Sequence, residues 1–200
     1  MIDPIRQPLI DVFLRYNQQL NLSAIRDAEG VYEKHILDSL MIKHVIDMWS
    51  IKTLGDVGTW WWFPLLPLAL QYPHIVCTGI DSTQKKLQAI SNMCNELGIS
   101  NCLYERTRIE QYTWKFDLVT VRAVAHVSIL LQWLSWLYHM GTKIVLYKQY
   151  DKYLPDQPWV LEKQEMITLL PTYHLKLIHE YYYTLWPWDR GRVLYVLEVL

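Results

Sequence analysis

Residues 54–70 read LGDVGTWWWFPLLPLAL, and the fold turns on how that stretch is parsed. An apolar run closes in Asp56-Val57-Gly58-Thr59, an acid and a glycine of the kind that lead from a buried strand into a ligand-facing loop. Trp60, Trp61 and Trp62 then stand where small residues would let a ligand approach the backbone. Phe63-Pro64 and the apolar residues up to Leu70 open a helical pattern. Strand, loop and helix in that order predict the first unit of an α/β sheet.

Working outward, short apolar strands are expected at 52–57, 75–80, 101–105, 116–121 and 142–148. Helical patterns occupy 64–71, 83–97 and 127–140 between them, which indicates a mostly parallel sheet covered on both faces. A short helix near 160–169 precedes two strands, 173–184 and 192–199. Residues 186–191 join these two, so they form an antiparallel pair at the C-terminal edge of a seven-stranded sheet. Upstream, Leu9, Val12, Phe13, Tyr16 and Leu20 predict a helix over 5–20, and a second is expected over 29–49. The organisation is an N-terminal helical cap, 1–50, on a Rossmann-like α/β domain, 51–200, the two forming one integrated globular unit.

Two hundred residues suit one core-bearing domain with a small appendage, and 52% apolar content argues against disorder. The net charge of −1 excludes the global basicity of many nucleic-acid binders and leaves local patches as the candidates. Such patches are Lys85/Lys86, Arg106/Arg108 with Arg122, and Arg190/Arg192. Cys77, Cys94 and Cys102 have no metal-ligand spacing and suit a reducing, cytoplasmic compartment. No membrane span or signal peptide is expected.

In doubly wound sheets, ligands sit beyond the carboxyl ends of the strands, near the change in strand order. Asp56 ends the first strand and Asp81 the second. Asp81 either accepts ribose hydroxyls or caps the helix that begins near Thr83. Asp56 either shapes the loop through backbone N–H groups or meets a charged ligand amine through water. Arg106 to Glu110 follow the third strand, at the edge of an adenine pocket or of the next turn. Arg122 and Lys148 end the fourth and fifth strands, where they either touch phosphate or pair with Asp56, Asp81 or Glu110. The cap offers Asn21, Arg26, Lys34, His35 and Asp38, with no Ser-His-Asp set and no metal cluster. The three tryptophans have three readings: they fill the pocket, turn outward as an apolar patch, or stack on an adenine.

In order, Asn21-Leu22-Ser23-Ala24-Ile25-Arg26-Asp27, Lys34-His35-Ile36-Leu37-Asp38-Ser39, Asp56-Val57-Gly58-Thr59 and Phe63-Pro64 form one series of motifs. Pro67-Leu68, Asp81-Ser82 with Lys85-Lys86, Arg122-Ala123 with Ala125, Lys148 and Arg192 extend it over nearly the whole chain. This series resembles the bacterial 16S ribosomal RNA guanine-N7 methyltransferase family, also called glucose-inhibited division protein B. The resemblance implies a Rossmann-like S-adenosylmethionine-dependent methyltransferase that acts on 16S ribosomal RNA or a small-subunit precursor. It implies Asp56, Gly58, Asp81, Ile109 and Glu110 as cofactor-side residues, and Arg122, Lys148 and Arg192 as substrate-side residues. Guanine N7 is already a nucleophile, so no catalytic side chain and no metal is assigned.

The departures are concentrated. The family has glycine or proline at Trp60, Trp61 and Trp62, and glycine at Leu65 and Gln149. Three functions are therefore weighed: an rRNA methyltransferase, a methyltransferase-fold scaffold whose cofactor loop is blocked by the tryptophans, and an oligomer-forming protein with an exposed aromatic patch.

Overall fold

Strands β1 (Thr53–Val57), β2 (Val76–Asp81), β3 (Cys102–Arg106), β4 (Phe116–Arg122), β5 (Tyr138–Gln149), β6 (Leu175–Tyr183) and β7 (Arg192–Val199) form one sheet. Their order is β3-β2-β1-β4-β5-β7-β6. This is a computed structural model, and it describes residues 6–59, 62–150, 158–186 and 190–200, with the backbone alone at 85, 86 and 110. Strands β1 to β5 run parallel, β7 is antiparallel to β5, and β6 is antiparallel to β7. The chain steps outward from β1 to β3 and then returns to lay β4 beside β1. That reversal creates a crevice at the carboxyl ends of β1 and β4.

Alternation along the strands supplies two cores, one on each face. On β5, Val145 and Tyr147 join the first core while Ile144 and Leu146 join the second. The first core packs α1 (Gln7–Leu20), α4 (Leu65–Gln71) and α5 (Gln84–Leu97) against the sheet through residues such as Phe13, Leu66 and Ile90. Across the sheet, α6 (Val127–Leu134) and α7 (Pro158–Leu169) contribute Leu130, Leu131 and Met166. Cap residues Leu9, Phe13 and Ile36 share a core with Leu54 of β1, so the cap is packed into the fold.

Two elements differ from the sequence reading. The helix expected over 127–140 stops at Leu134, and β5 begins at Tyr138. Leu137, in the bend before the strand, and Tyr138, its first residue, enter the second core, and the Leu137 carbonyl accepts the Phe116 N–H. A run of apolar residues suits a buried helix or a buried strand equally, so pairing with β4 decides. The helix expected over 29–49 is a chain of short turns: α2 (Ala28–Val31), a π-helical stretch (Tyr32–Leu37), α3 (Asp38–Leu40) and two 3₁₀ turns. The widened turn delivers two polar side chains to the interior, His35 and Asp38.

The end of α1 is fixed by its own side chains. Asn21 takes a left-handed conformation at φ 50°, and its N–H bonds to the Asn17 carbonyl. The Asn17 amide donates to the carbonyls of Ser23 and Ile25, and its oxygen accepts the Ser23 N–H. Residues 21–26 are thereby held over the carboxyl ends of the strands.

Candidate functional site

A cavity of about 660 Å³ opens at the crevice between β1 and β4. Gly58, Asp81, Ser82, Thr107, Ile109 and Ala123 line it from the strand ends, and Asn21 and Leu22 close it from the cap. Gly58 has φ +65° and donates its N–H to the Ile80 carbonyl. A Cβ on it would lie 2.5 Å from Val124 Cγ2, so glycine is required twice over, by conformation and by space.

Asp81 Oδ1 accepts the Thr83 N–H at 2.8 Å, which anchors the start of α5. Its Oδ2 accepts no hydrogen bond from a described residue. The capping and ligand readings of Asp81 are thus compatible, one oxygen for each. Asp56 does not line the cavity. It is 1% exposed behind it, where Oδ1 accepts the Thr120 hydroxyl at 2.7 Å. Asp56 Oδ2 and Thr59 Oγ1 are buried without a hydrogen-bond partner among the described residues. Burial pushes the Asp56 carboxyl up to about 7, against the weaker pull of its neighbours Thr120, Thr59 and Arg122. Ile109 lines the cavity as expected, whereas the side chain of Glu110 lies outside the described residues.

Trp62 overturns the expectation that it blocks the pocket. Its indole is fully buried, packed edge-on against Phe13 at 5.7 Å and Tyr16 at 6.0 Å between centroids. It does so at φ +63°, a conformation glycine occupies freely and side chains rarely adopt. A left-handed side chain costs about 1–2 kcal/mol and the buried Nε1–H, which meets no acceptor among the described residues, about 1–3 kcal/mol, while burying an indole of roughly 200 Å² returns about 5 kcal/mol. Burial wins, and the side chain goes into the core under the cap. Phe63 next to it stacks on His35 at 4.7 Å, which completes the seam between loop and cap. Leu65 is accommodated because β2 carries Gly79 opposite it, where a Cβ would meet Leu65 Cδ2 at 2.7 Å. Trp60 and Trp61 lie outside the described residues. Among the described residues the exposed indoles are Trp49, Trp114 and Trp136, just before the amino ends of β1, β4 and β5 and away from the crevice.

A second cavity, about 380 Å³, lies between the cap and the ends of β4, β5 and β7. Lys34, Arg122, Arg190 and Arg192 line it with His35 and Trp186. Arg122 Nη2 lies 3.0 Å from Asp38 Oδ2 and donates to the Lys34 carbonyl at 2.7 Å. Arg192 Nη1 lies 3.1 Å from Asp38 Oδ1. Among the described side chains, the ion-pair partner of Arg122 is therefore an acid of the cap, Asp38, and not Asp56 or Asp81; the side chain of Glu110 lies outside them. Lys148 stands apart from both arginines: it pairs with Glu162 of α7 at 2.6 Å, and Glu162 also accepts the Val127 N–H at the start of α6. This lysine ties the two helices to β5. His35 Nε2 is 3.1 Å from the Ser23 hydroxyl. Burial, and then the charges of Arg122, Arg192 and Lys34, push its imidazole down to about 3. It is neutral at pH 7.

Sequence reasoning did not single out Leu22, Ala123, Val124 or Trp133 in the first cavity, or Trp186 in the second. Trp133 sits in a helix apolar on nearly every side, so nothing marks it. Ala123 at φ 54° has a signal only in its place after the strand-ending Arg122.

The strand order, the antiparallel last pair and a cavity walled by Gly58 and Asp81 define an S-adenosylmethionine-dependent methyltransferase fold. Solved structures agree: a methyltransferase from Thiobacillus denitrificans in complex with S-adenosyl-L-homocysteine superposes with TM-score 0.59 at 13% identity, covering 82% of this chain and 91% of that one. The ribosomal protein L11 methylase of Lactobacillus delbrueckii subsp. bulgaricus gives 0.57 at 16% identity, covering 82% and 77%. Residues 6–170 match the family model GidB, rRNA small subunit methyltransferase G, and the chain belongs to that family. The ribosomal RNA small subunit methyltransferase G of Lysinibacillus sphaericus is 30% identical over 94% of this chain and 79% of its own length. That of Exiguobacterium sibiricum is 35% identical over 69% of this chain, and the match spans 60% of the relative's length.

Proposed function

We propose that this protein transfers a methyl group from S-adenosylmethionine to the N7 of a guanine in 16S ribosomal RNA or a small-subunit precursor, in the cytoplasm. The observation that carries the reading is a pair of cavities lined by the successive residues Arg122 and Ala123, one able to hold the cofactor and the other lined by cations. The fit to the cofactor rests on Asp81 Oδ2 at the cavity wall, the bare backbone at Gly58, and the unpartnered Asp56 Oδ2 and Thr59 Oγ1 behind it. A cavity of about 660 Å³ is within the range of small-ligand sites.

In this reading Asp81 accepts the ribose hydroxyls, the Gly58 backbone approaches the ligand closely, and Ile109 packs against adenine. Asp56 orders the loop and receives a bridging water from the ligand amine. When bound, S-adenosylmethionine supplies an electrophilic methyl group. The N7 lone pair of guanine is a nucleophile in its own right, so the chain needs to remove no proton. His35, buried and neutral, fits that requirement as a structural group. Arg122 and Arg192 hold the RNA, and Lys148 is kept out of that set by its pairing with Glu162.

We read the cap, 1–50, and the remainder, 51–200, as one folding unit, supported by their shared core. No helix among the described residues is long and apolar enough to cross a membrane. The test is methyl transfer from radiolabelled cofactor to small ribosomal subunits or their naked RNA, with Asp81→Ala as control. Labelled N7-methylguanine from wild type and at least about tenfold less from Asp81→Ala is expected. No transfer by a folded protein would contradict the reading.

A further inference from the structure

Asp38 is 1% exposed, lies behind the second cavity and does not line it. Its Oδ2 faces Arg122 of β4, and its Oδ1 faces Arg192 of β7 and accepts the Tyr183 hydroxyl of β6 at 2.7 Å. One carboxylate thus gathers side chains from three strands onto the cap. Both guanidinium groups belong to the cavity wall, and no acid lines that cavity among the described residues. Trp186 lies beside them, with Lys34 Nζ 5.1 Å and Arg192 Cζ 5.9 Å from its ring centroid.

We propose that Asp38 is a positioning residue for RNA: it fixes Arg122 and Arg192 side by side in the cavity wall, where they receive a phosphate of the substrate strand. This deepens the methyltransferase reading and rests on it for the identity of the substrate. A simple tether between cap and sheet would need only one arginine, and buried ion pairs are weak sources of stability. Arg122 Nη1, moreover, meets no acceptor among the described residues, so a stabilising role alone leaves one charged donor unserved. Two planar forks held at fixed angles suit a phosphate, because the rotational freedom of long side chains is already lost before binding. Burial first, and then the charge of Arg122, hold the His35 imidazole beside them in its neutral form. Arg122 is followed directly by Ala123 of the first cavity, so a strand anchored at the arginines lies beside the methyl-donor site.

The test uses the full chain and a short fluorescein-labelled single-stranded RNA read by anisotropy, with cofactor binding followed separately by calorimetry. Asp38→Asn is expected to weaken RNA at least about tenfold and to reduce the salt slope by about 0.7–1.4, one or two phosphate contacts. Its affinity for S-adenosylmethionine is expected to stay as in wild type. In methyl transfer, KM for RNA rises while kcat holds. Arg192→Lys keeps the charge and loses the fork, and a several-fold weakening is expected there too. That variant decides the matter where Asp38→Asn fails to fold. RNA affinity and salt slope unchanged in either folded variant, or no RNA binding by wild type, overturns the proposal. Asp38-dependent RNA binding without cofactor binding supports Asp38's role and overturns the methyl-transfer reading.

Discussion

The two cavities are lined by successive residues, Arg122 and Ala123, and differ in charge. Behind the first lies a carboxyl group that burial holds near neutrality, Asp56, with Asp81 at the wall and Arg108 the cation beside it. The second is lined by four cationic side chains, and a histidine embedded among them is driven toward its neutral form. The difference matches the two ligands proposed. A sulfonium compound with a charged amine suits a wall whose carboxylate and guanidinium balance, and a polyanionic strand suits the basic side. It also shows how the division is kept: Asp38, the acid that pairs with Arg122 and Arg192 among the described residues, stands behind the arginines.

The largest break in this comparison is expected from Gly58→Val. It forces a β-branched residue into φ +65° and against Val124. The variant should lose cofactor binding by more than about a hundredfold and also lose about 2–3 kcal/mol of stability. Calorimetry with S-adenosylmethionine checks the first, and urea unfolding the second. Retained affinity would mean the cofactor does not approach this backbone.

Trp62→Ala separates core from pocket. Loss of the buried indole should destabilise by about 3 kcal/mol, a fall of roughly 6–12 °C in Tm for a chain of this size. Cofactor affinity should change little once the variant is folded. Tighter cofactor binding with unchanged Tm would return Trp62 to the pocket.

A smaller effect is expected from Asp81→Ala, which removes one ligand acceptor and one helix anchor. Cofactor affinity should drop about tenfold, and stability by about 1 kcal/mol from the lost Thr83 contact. Full affinity in the calorimeter would leave Asp81 with the capping role alone.

The smallest effects have opposite signs in the two regions. Asp56 keeps its proton in the fold up to about 7, whereas the unfolded chain loses it near 3.8. Across that window the unfolded state binds fewer protons, so this group's contribution to stability falls as pH rises. His35 resists protonation down to about 3, whereas the unfolded chain takes up the proton near 6.5. Its contribution therefore falls as pH drops through that window. Urea midpoints measured from pH 5 to 8 should decline less steeply toward high pH in Asp56→Asn than in wild type. In His35→Gln they should decline less toward low pH. Parallel curves for all three proteins would deny both shifts.

The parallel sheet was legible because β1, β2 and β4 are short apolar runs bounded by turn chemistry. Gly58 and Asp81 were legible as cavity-lining positions because each sits at a strand end, whereas Asp56 at the same end of β1 lies behind the wall. The interior of the cap was not legible. A π-helical stretch leaves no mark in a 3.6-residue period, so the inward turn of His35 and Asp38 was hidden behind an expected continuous helix. Pairing was hidden as well. Arg122, Arg192 and Asp38 are far apart in sequence, and only the return of β4 and β7 to the cap brings them together. Trp62 misleads for a third reason: local sterics argue against a tryptophan at positive φ, and tertiary burial outweighs them.

The central claim is that the crevice beside Gly58 and Asp81 holds S-adenosylmethionine. Isothermal titration of the purified full chain with this cofactor tests it most directly, run beside Asp81→Ala. Micromolar binding by wild type, weakened about tenfold in the variant, is the expected result. A folded wild type that takes up no cofactor, or a variant that binds equally well, would contradict it.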